Sequence, residues 1–133
     1  MAIIADTGGI LVLFDRNHPK HQATLEALDD GLIVPSLILP EVDYLSSRLP
    51  RGAMRSFMAS LLTQEFEYYE LDLTDLQRAN EIMNHYADAK VGLVDAAVVA
   101  VAERLNINRI LTIDQRHFSL FKPKQLGFLE LLP

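Results

Sequence analysis

Cysteine is absent from this 133-residue sequence. That excludes a disulfide scaffold, a zinc ribbon and a thiol nucleophile. Long apolar runs are absent too. The longest, Ile10–Phe14 and Ala96–Ala102, fall far short of the ~20 residues a membrane-spanning helix needs. Met1–Ala5 carries no basic residue, so no secretory signal is expected. No Gly/Ser linker, internal repeat or low-complexity stretch divides the chain, and a single domain over residues 1–133 is expected. Neither G-x-G-x-x-G nor G-x-x-x-x-G-K-[ST] occurs, which counts against dinucleotide binding and P-loop chemistry. The histidines, His18, His21, His85 and His117, show no ligand spacing. His117 alone draws notice, because it follows Arg116 near a candidate acid. The default is a soluble, cytoplasmic domain with no membrane partner.

Half of the residues are hydrophobic and 23% are charged, which is the balance of a folded domain rather than a disordered tail. The net charge is −6, from 12 Lys and Arg against 18 Asp and Glu. That sign argues against broad nucleic-acid binding, which needs basic surface. It leaves room for a local basic patch, or for a site where metal ions offset acids.

Short apolar segments alternate with helical ones. Ala2–Ala5, Leu32–Val34, Phe66–Leu71, Arg109–Ile113 and Phe128–Leu132 read as strands, the last at an edge. Helices are expected over Thr7–Phe14, Lys20–Asp30, Leu39–Leu49, Gly52–Leu62, Thr74–Ala87 (capped by Thr74) and Leu93–Leu105. This pattern predicts an α/β/α sandwich with a mostly parallel sheet of about five strands. Ligands in such folds sit beyond the carboxyl ends of the strands, so the residues there are where chemistry is sought.

Four acids occupy those places. Asp6 follows the first strand and Asp114 the fourth, Glu41 starts the helix after the second, and Asp95 lies in the first turn of the alanine-rich helix. Distant in sequence, they could converge on one rim of the sheet. Unpaired, they would repel one another. A hard divalent cation would make the cluster tolerable, and Mg²⁺ or Mn²⁺ prefers oxygen ligands. Such a site suits phosphodiester hydrolysis. Each acid also has a plainer use, as a helix cap or a partner of the helix dipole.

In this order the motifs resemble the PIN-domain ribonucleases, and within them the VapC-type toxins of toxin–antitoxin pairs. The likeness is carried by Ile3-Ile4-Ala5-Asp6-Thr7, Pro40-Glu41-Val42, the alanine-studded Leu93–Ala102 opening on Asp95, and Leu111–Phe118 with its Thr-x-Asp exit. The resemblance implies a PIN-like fold and an endoribonuclease whose catalytic and metal-binding acids are Asp6, Glu41, Asp95 and Asp114. It implies Mg²⁺ as cofactor, with Mn²⁺ as substitute, and a supporting hydroxyl from Thr112. Thr7 is a second supporting donor or an N-cap, and Arg116 is the candidate RNA contact. The resemblance further implies a cognate antitoxin docking near Val42–Leu62, and a homodimer or a higher-order complex with the antitoxin. Two features depart from the family pattern: Gly8 stands where a small polar residue is common, and Pro40 precedes Glu41. Asp43 and Asp88 read as surface acids, and Arg48, Arg51 and Arg55 as a solvated face. The mean hydropathy of +0.13 and the stripe Met54, Phe57, Met58, Leu61 and Leu62 leave core packing and a partner groove both open. Two other functions compete: a catalytically silent PIN-like protein-binding domain, and a flavodoxin-like phosphoacceptor module, for which Asp72 is a poor candidate.

Overall fold

The computed structural model describes residues 2–28 and 31–133. Five short strands, β1 (Ile3–Ala5), β2 (Leu32–Pro35), β3 (Glu67–Tyr69), β4 (Arg109–Leu111) and β5 (Glu130–Leu132), form one sheet. Their order is β3-β2-β1-β4-β5, and every neighbouring pair is parallel. The sheet is therefore wholly rather than mostly parallel. Ile4 of β1 pairs with Ile33 on one side and Ile110 on the other. Residues Ile3, Ile4 and Ala5 are fully buried, as a central parallel strand covered on both faces requires.

The helices are α1 (Thr7–Leu13), α2 (His21–Ala27), α3 (Leu39–Leu45), α4 (Ala53–Leu62), α5 (Leu73–His85), α6 (Leu93–Leu105) and α7 (Gln115–Phe118). Single 3-10 turns lie at Ser36–Ile38, Ser46–Arg48 and Ala87–Ala89. The α1 helix packs on α2 and α3, and α5 packs on α6. Among the described residues, no helix is long and apolar enough to cross a membrane.

Several expected boundaries shift. The strand expected over Arg109–Ile113 ends at Leu111, because Thr112 is the last residue to bond β5, donating its N–H to the Leu132 carbonyl at 2.8 Å. Tyr69 ends the strand expected to reach Leu71, and the edge strand starts at Glu130 rather than Phe128. Lys20 stands outside α2, and the Asp29–Asp30 end of the expected helix lies outside the described residues. The helix expected to run to Leu49 gives way to a 3-10 turn at Ser46. Thr74 is not the cap of α5. Asp72 is, in a reciprocal capping box with Asp75: the Asp75 N–H donates to Asp72 Oδ1 at 3.0 Å, and the Asp72 N–H to Asp75 Oδ2 at 3.2 Å. Asp72 also pairs with Arg104 at 2.9 Å, so it is engaged structurally and ill placed as a phosphoacceptor. The stripe on α4 is mainly core: Phe57 and Leu61 are buried, Met54 and Met58 half-buried, and Leu62 alone stands out in solvent.

The chain order makes β1 the pivot. From β1 it moves outward through β2 to β3, then crosses to the other side of β1 with β4 and β5. The sheet's direction of growth reverses between β1 and β4. In an open parallel sheet that reversal opens a crevice beyond the strands' carboxyl ends.

Candidate active site

Asp6 leaves β1 at that crevice, and Asp114 leaves β4 three residues past the strand. Glu41 sits in the first turn of α3 and Asp95 in the first turn of α6. All four line one cleft of about 460 Å³, together with Thr7, Gly8, Gly92 and a rim of Leu11, Leu45, Leu93, Val94 and Ile113. Pro40 does not delay α3. It occupies the first turn, where its missing N–H is harmless, and Glu41 still faces the cleft. Asp43 and Asp88 are exposed and do not line it.

A short network orders three of the acids. The Thr112 hydroxyl accepts the Asp114 backbone N–H at 3.0 Å and donates to Asp6 Oδ2 at 2.9 Å. One contact fixes the direction of the other, so a fully buried threonine holds the Asp6 carboxylate in place. Asp114 caps α7, accepting the His117 backbone N–H on Oδ1 at 3.2 Å. The same residue's ring Nδ1 lies 2.8 Å from Asp95 Oδ2 and 3.4 Å from Asp114 Oδ2. The cap of α7 and the cleft-lining acid are thus one residue.

The electrostatics record a deficit of positive charge. Burial, then the neighbouring Asp95 and Glu41 carboxylates, push the Asp6 pKa up to about 6, against the relief given by the Thr112 hydroxyl and the Thr7 backbone. Asp95 is also raised, first by burial and then by Asp114 and Glu41, with His117 opposing. Glu41 joins the cluster through charge: it raises both Asp6 and Asp95. Thr7 is 3% exposed, and among the described residues its hydroxyl has no hydrogen-bond partner. An orphaned hydroxyl beside repelling carboxylates is an incomplete arrangement.

That donor set, all oxygen and strongly acidic, fits a hard divalent cation. Among the described residues, no three acidic or histidine side chains stand close enough to grip one ion together. The carboxylates ring the cleft rather than meet at a point, an arrangement compatible with an ion that keeps part of its water shell.

The apolar rim and the contacts of His117 are not apparent in the sequence. The rim gives no signal, since Leu11, Leu45 and Val94 look like core residues. His117 stands three residues after Asp114, and that spacing places both on one face only once Gln115–Phe118 coil into a helical turn. Gly8 lies against Ile113: a Cβ there would come within 2.8 Å of Ile113 Cγ1. Arg116 is exposed and lies two residues past Asp114.

The sequence model of the PIN domain family matches residues 3–122. Ribonuclease VapC26 of Mycobacterium tuberculosis is 33% identical over 135 residues, covering 98% of this chain and 100% of that protein. The crystal structure of Mycobacterium tuberculosis VapC20, described as a Sarcin-Ricin loop cleaving toxin, superposes with a TM-score of 0.80 at 18% identity, covering 98% of this chain and 99% of the other. A toxin–antitoxin complex from Klebsiella pneumoniae superposes with a TM-score of 0.69 at 19% identity, covering 96% of each chain. At these identities the two structures speak to the fold, and they share it.

Proposed function

Because this chain belongs to the PIN-domain family, we propose that it is a divalent-metal-dependent endoribonuclease, the toxin of a VapBC-type toxin–antitoxin pair, acting in the cytoplasm. The observation that carries this reading is the meeting of Asp6, Glu41, Asp95 and Asp114, from four separate elements, in one cleft at the point where the sheet reverses. The likeness to a ribonuclease over 98% of the chain names the class of reaction.

Asp6, Glu41, Asp95 and Asp114 would hold the cation, Mg²⁺ with Mn²⁺ as substitute. When bound, it would supply Lewis acidity and a water of lowered pKa for phosphodiester hydrolysis. The chain's own residues do the rest. Thr112 keeps the Asp6 carboxylate oriented, and the free Thr7 hydroxyl can hold a water or a phosphate oxygen in the cleft. Arg116, outside the acids, would meet an RNA phosphate.

An antitoxin segment would dock near Val42–Leu62. There Tyr44 is 80% exposed and Leu62 77% exposed, and an aromatic and an aliphatic side chain in solvent suit the apolar face of a partner helix. Homodimerisation belongs to the same reading.

The test is cleavage of cellular RNA by purified protein, with growth arrest on expression as the second readout. Asp6→Asn and Asp95→Asn should each lower cleavage by about a thousandfold, the several kcal/mol such an ion supplies, and should relieve the arrest while far-UV circular dichroism is unchanged. Folded variants that cleave like the parent would overturn the assignment.

A further inference from the structure

We propose that His117 is a positioning residue for the acid cluster, tying the Asp95 carboxylate to that of Asp114 and setting how the two face a cation. The inference rests on the metal-dependent reading above.

Three contacts converge on this one residue. Its ring Nδ1 is 2.8 Å from Asp95 Oδ2 and 3.4 Å from Asp114 Oδ2. Its backbone N–H is 3.2 Å from Asp114 Oδ1. Asp114 is thus approached on both oxygens by residue 117, while Asp95 is approached on one, leaving its other oxygen uncommitted to this residue. The ring itself is held. It lies in tilted contact with Phe118 and Phe121, with centroids 6.4 and 6.3 Å away, and both phenylalanines are buried. Asp95 arrives from α6 and Asp114 from the exit of β4, so no local geometry relates them. One ring nitrogen, Nδ1, lies within reach of both. Carboxylates that bind metals depend on such outer partners for their orientation, and loss of the partner costs about 10–100-fold in metal affinity.

The active atom is Nδ1, and that makes the role separable from packing. In an asparagine side chain the amide nitrogen falls near the place of Nδ1, whereas in glutamine it falls near Nε2; both keep a donor. Titration of the full-length protein with Mn²⁺ by calorimetry gives the readout, independent of turnover. His117→Ala and His117→Gln should bind Mn²⁺ about 10–100-fold more weakly than the parent. His117→Asn should stay within about threefold, and the melting temperature in EDTA should be the same for Asn and Gln. The proposal is overturned if the Ala and Gln variants bind as the parent does, or if Asn loses as much as Gln. A parent that binds no Mn²⁺ would remove the metal-dependent reading and this inference together. Unchanged affinity in the variants would remove this inference alone.

Discussion

Asp6 is buried at 5% exposure and faces two other acids, and its energetics can be read from the metal-free protein. Its folded-state pKa of about 6 lies above the ordinary 3.8. The folded form therefore holds this proton more tightly than the unfolded chain does. The resulting stability is complete below about pH 3.8 and is lost as pH rises through about 6. That interval corresponds to about 3 kcal/mol. Asparagine cannot ionise, and its carbonyl still accepts from Thr112. In EDTA, Asp6→Asn should therefore lose less stability than the parent between pH 4 and 7, and should be more stable by about 1–3 kcal/mol at pH 7.5. Urea unfolding at the two pH values measures this, and parallel slopes for the two proteins would refute it. The acids were legible in sequence because a parallel sheet leaves few places for a site, and each acid stood at a strand end or a helix start. His117 drew notice only by its place after Arg116; its contact with Asp95 was not legible, because it joins two distant segments and exists only in three dimensions.

The helices and strands were largely legible because burial and period agree along most of the chain. The α6 helix shows the agreement best: Ala96 to Ala102 are all buried, and small side chains let a helix covered all round lie close to its neighbours. Where boundaries moved, a local bond decided the matter. The Asp72–Asp75 box, not Thr74, fixes the start of α5. The four-residue α7 has no apolar period to announce it and is set by the Asp114 cap. The seating of α1 on β4 depends on Gly9. A Cβ there would come within 2.3 Å of the Leu111 carbonyl oxygen and 2.8 Å of its carbon, backbone atoms that cannot step aside. At Gly8 the obstacle is the partly exposed Ile113 side chain, which can turn. Gly9→Ala should thus destabilise by about 1–3 kcal/mol or more, as overpacking does, and should disturb the Asp6–Thr112 contact one turn away. Gly8→Ala should cost less than about 1 kcal/mol. Denaturant midpoints rank the two, and equal losses would show that α1 is not wedged against β4.

Over the whole molecule, a net charge of −6 opposes RNA binding unless the charge is unevenly distributed. Four of the 18 acids face one cleft, and one divalent ion there takes the formal charge from −6 to −4. Among the cations, Arg78, Arg104 and Arg109 are held in ion pairs, which removes them from phosphate binding. Arg116 is exposed and lies two residues past Asp114, whereas Arg51 lines a separate concavity with Leu13, His21 and Ala53. RNA binding should therefore need the divalent ion and a small number of phosphate contacts, rather than a broad basic face. With Ca²⁺ in place of Mg²⁺ to slow turnover, the parent should bind single-stranded RNA, and EDTA should abolish that binding. Arg116→Ala should weaken binding by a similar factor for unrelated RNA sequences and should flatten the slope of log affinity against log salt by about 0.7, the loss of one phosphate contact. Arg51→Ala should leave the slope unchanged. A slope unaffected by Arg116→Ala, or full binding in EDTA, would mean that RNA reaches this protein over another surface.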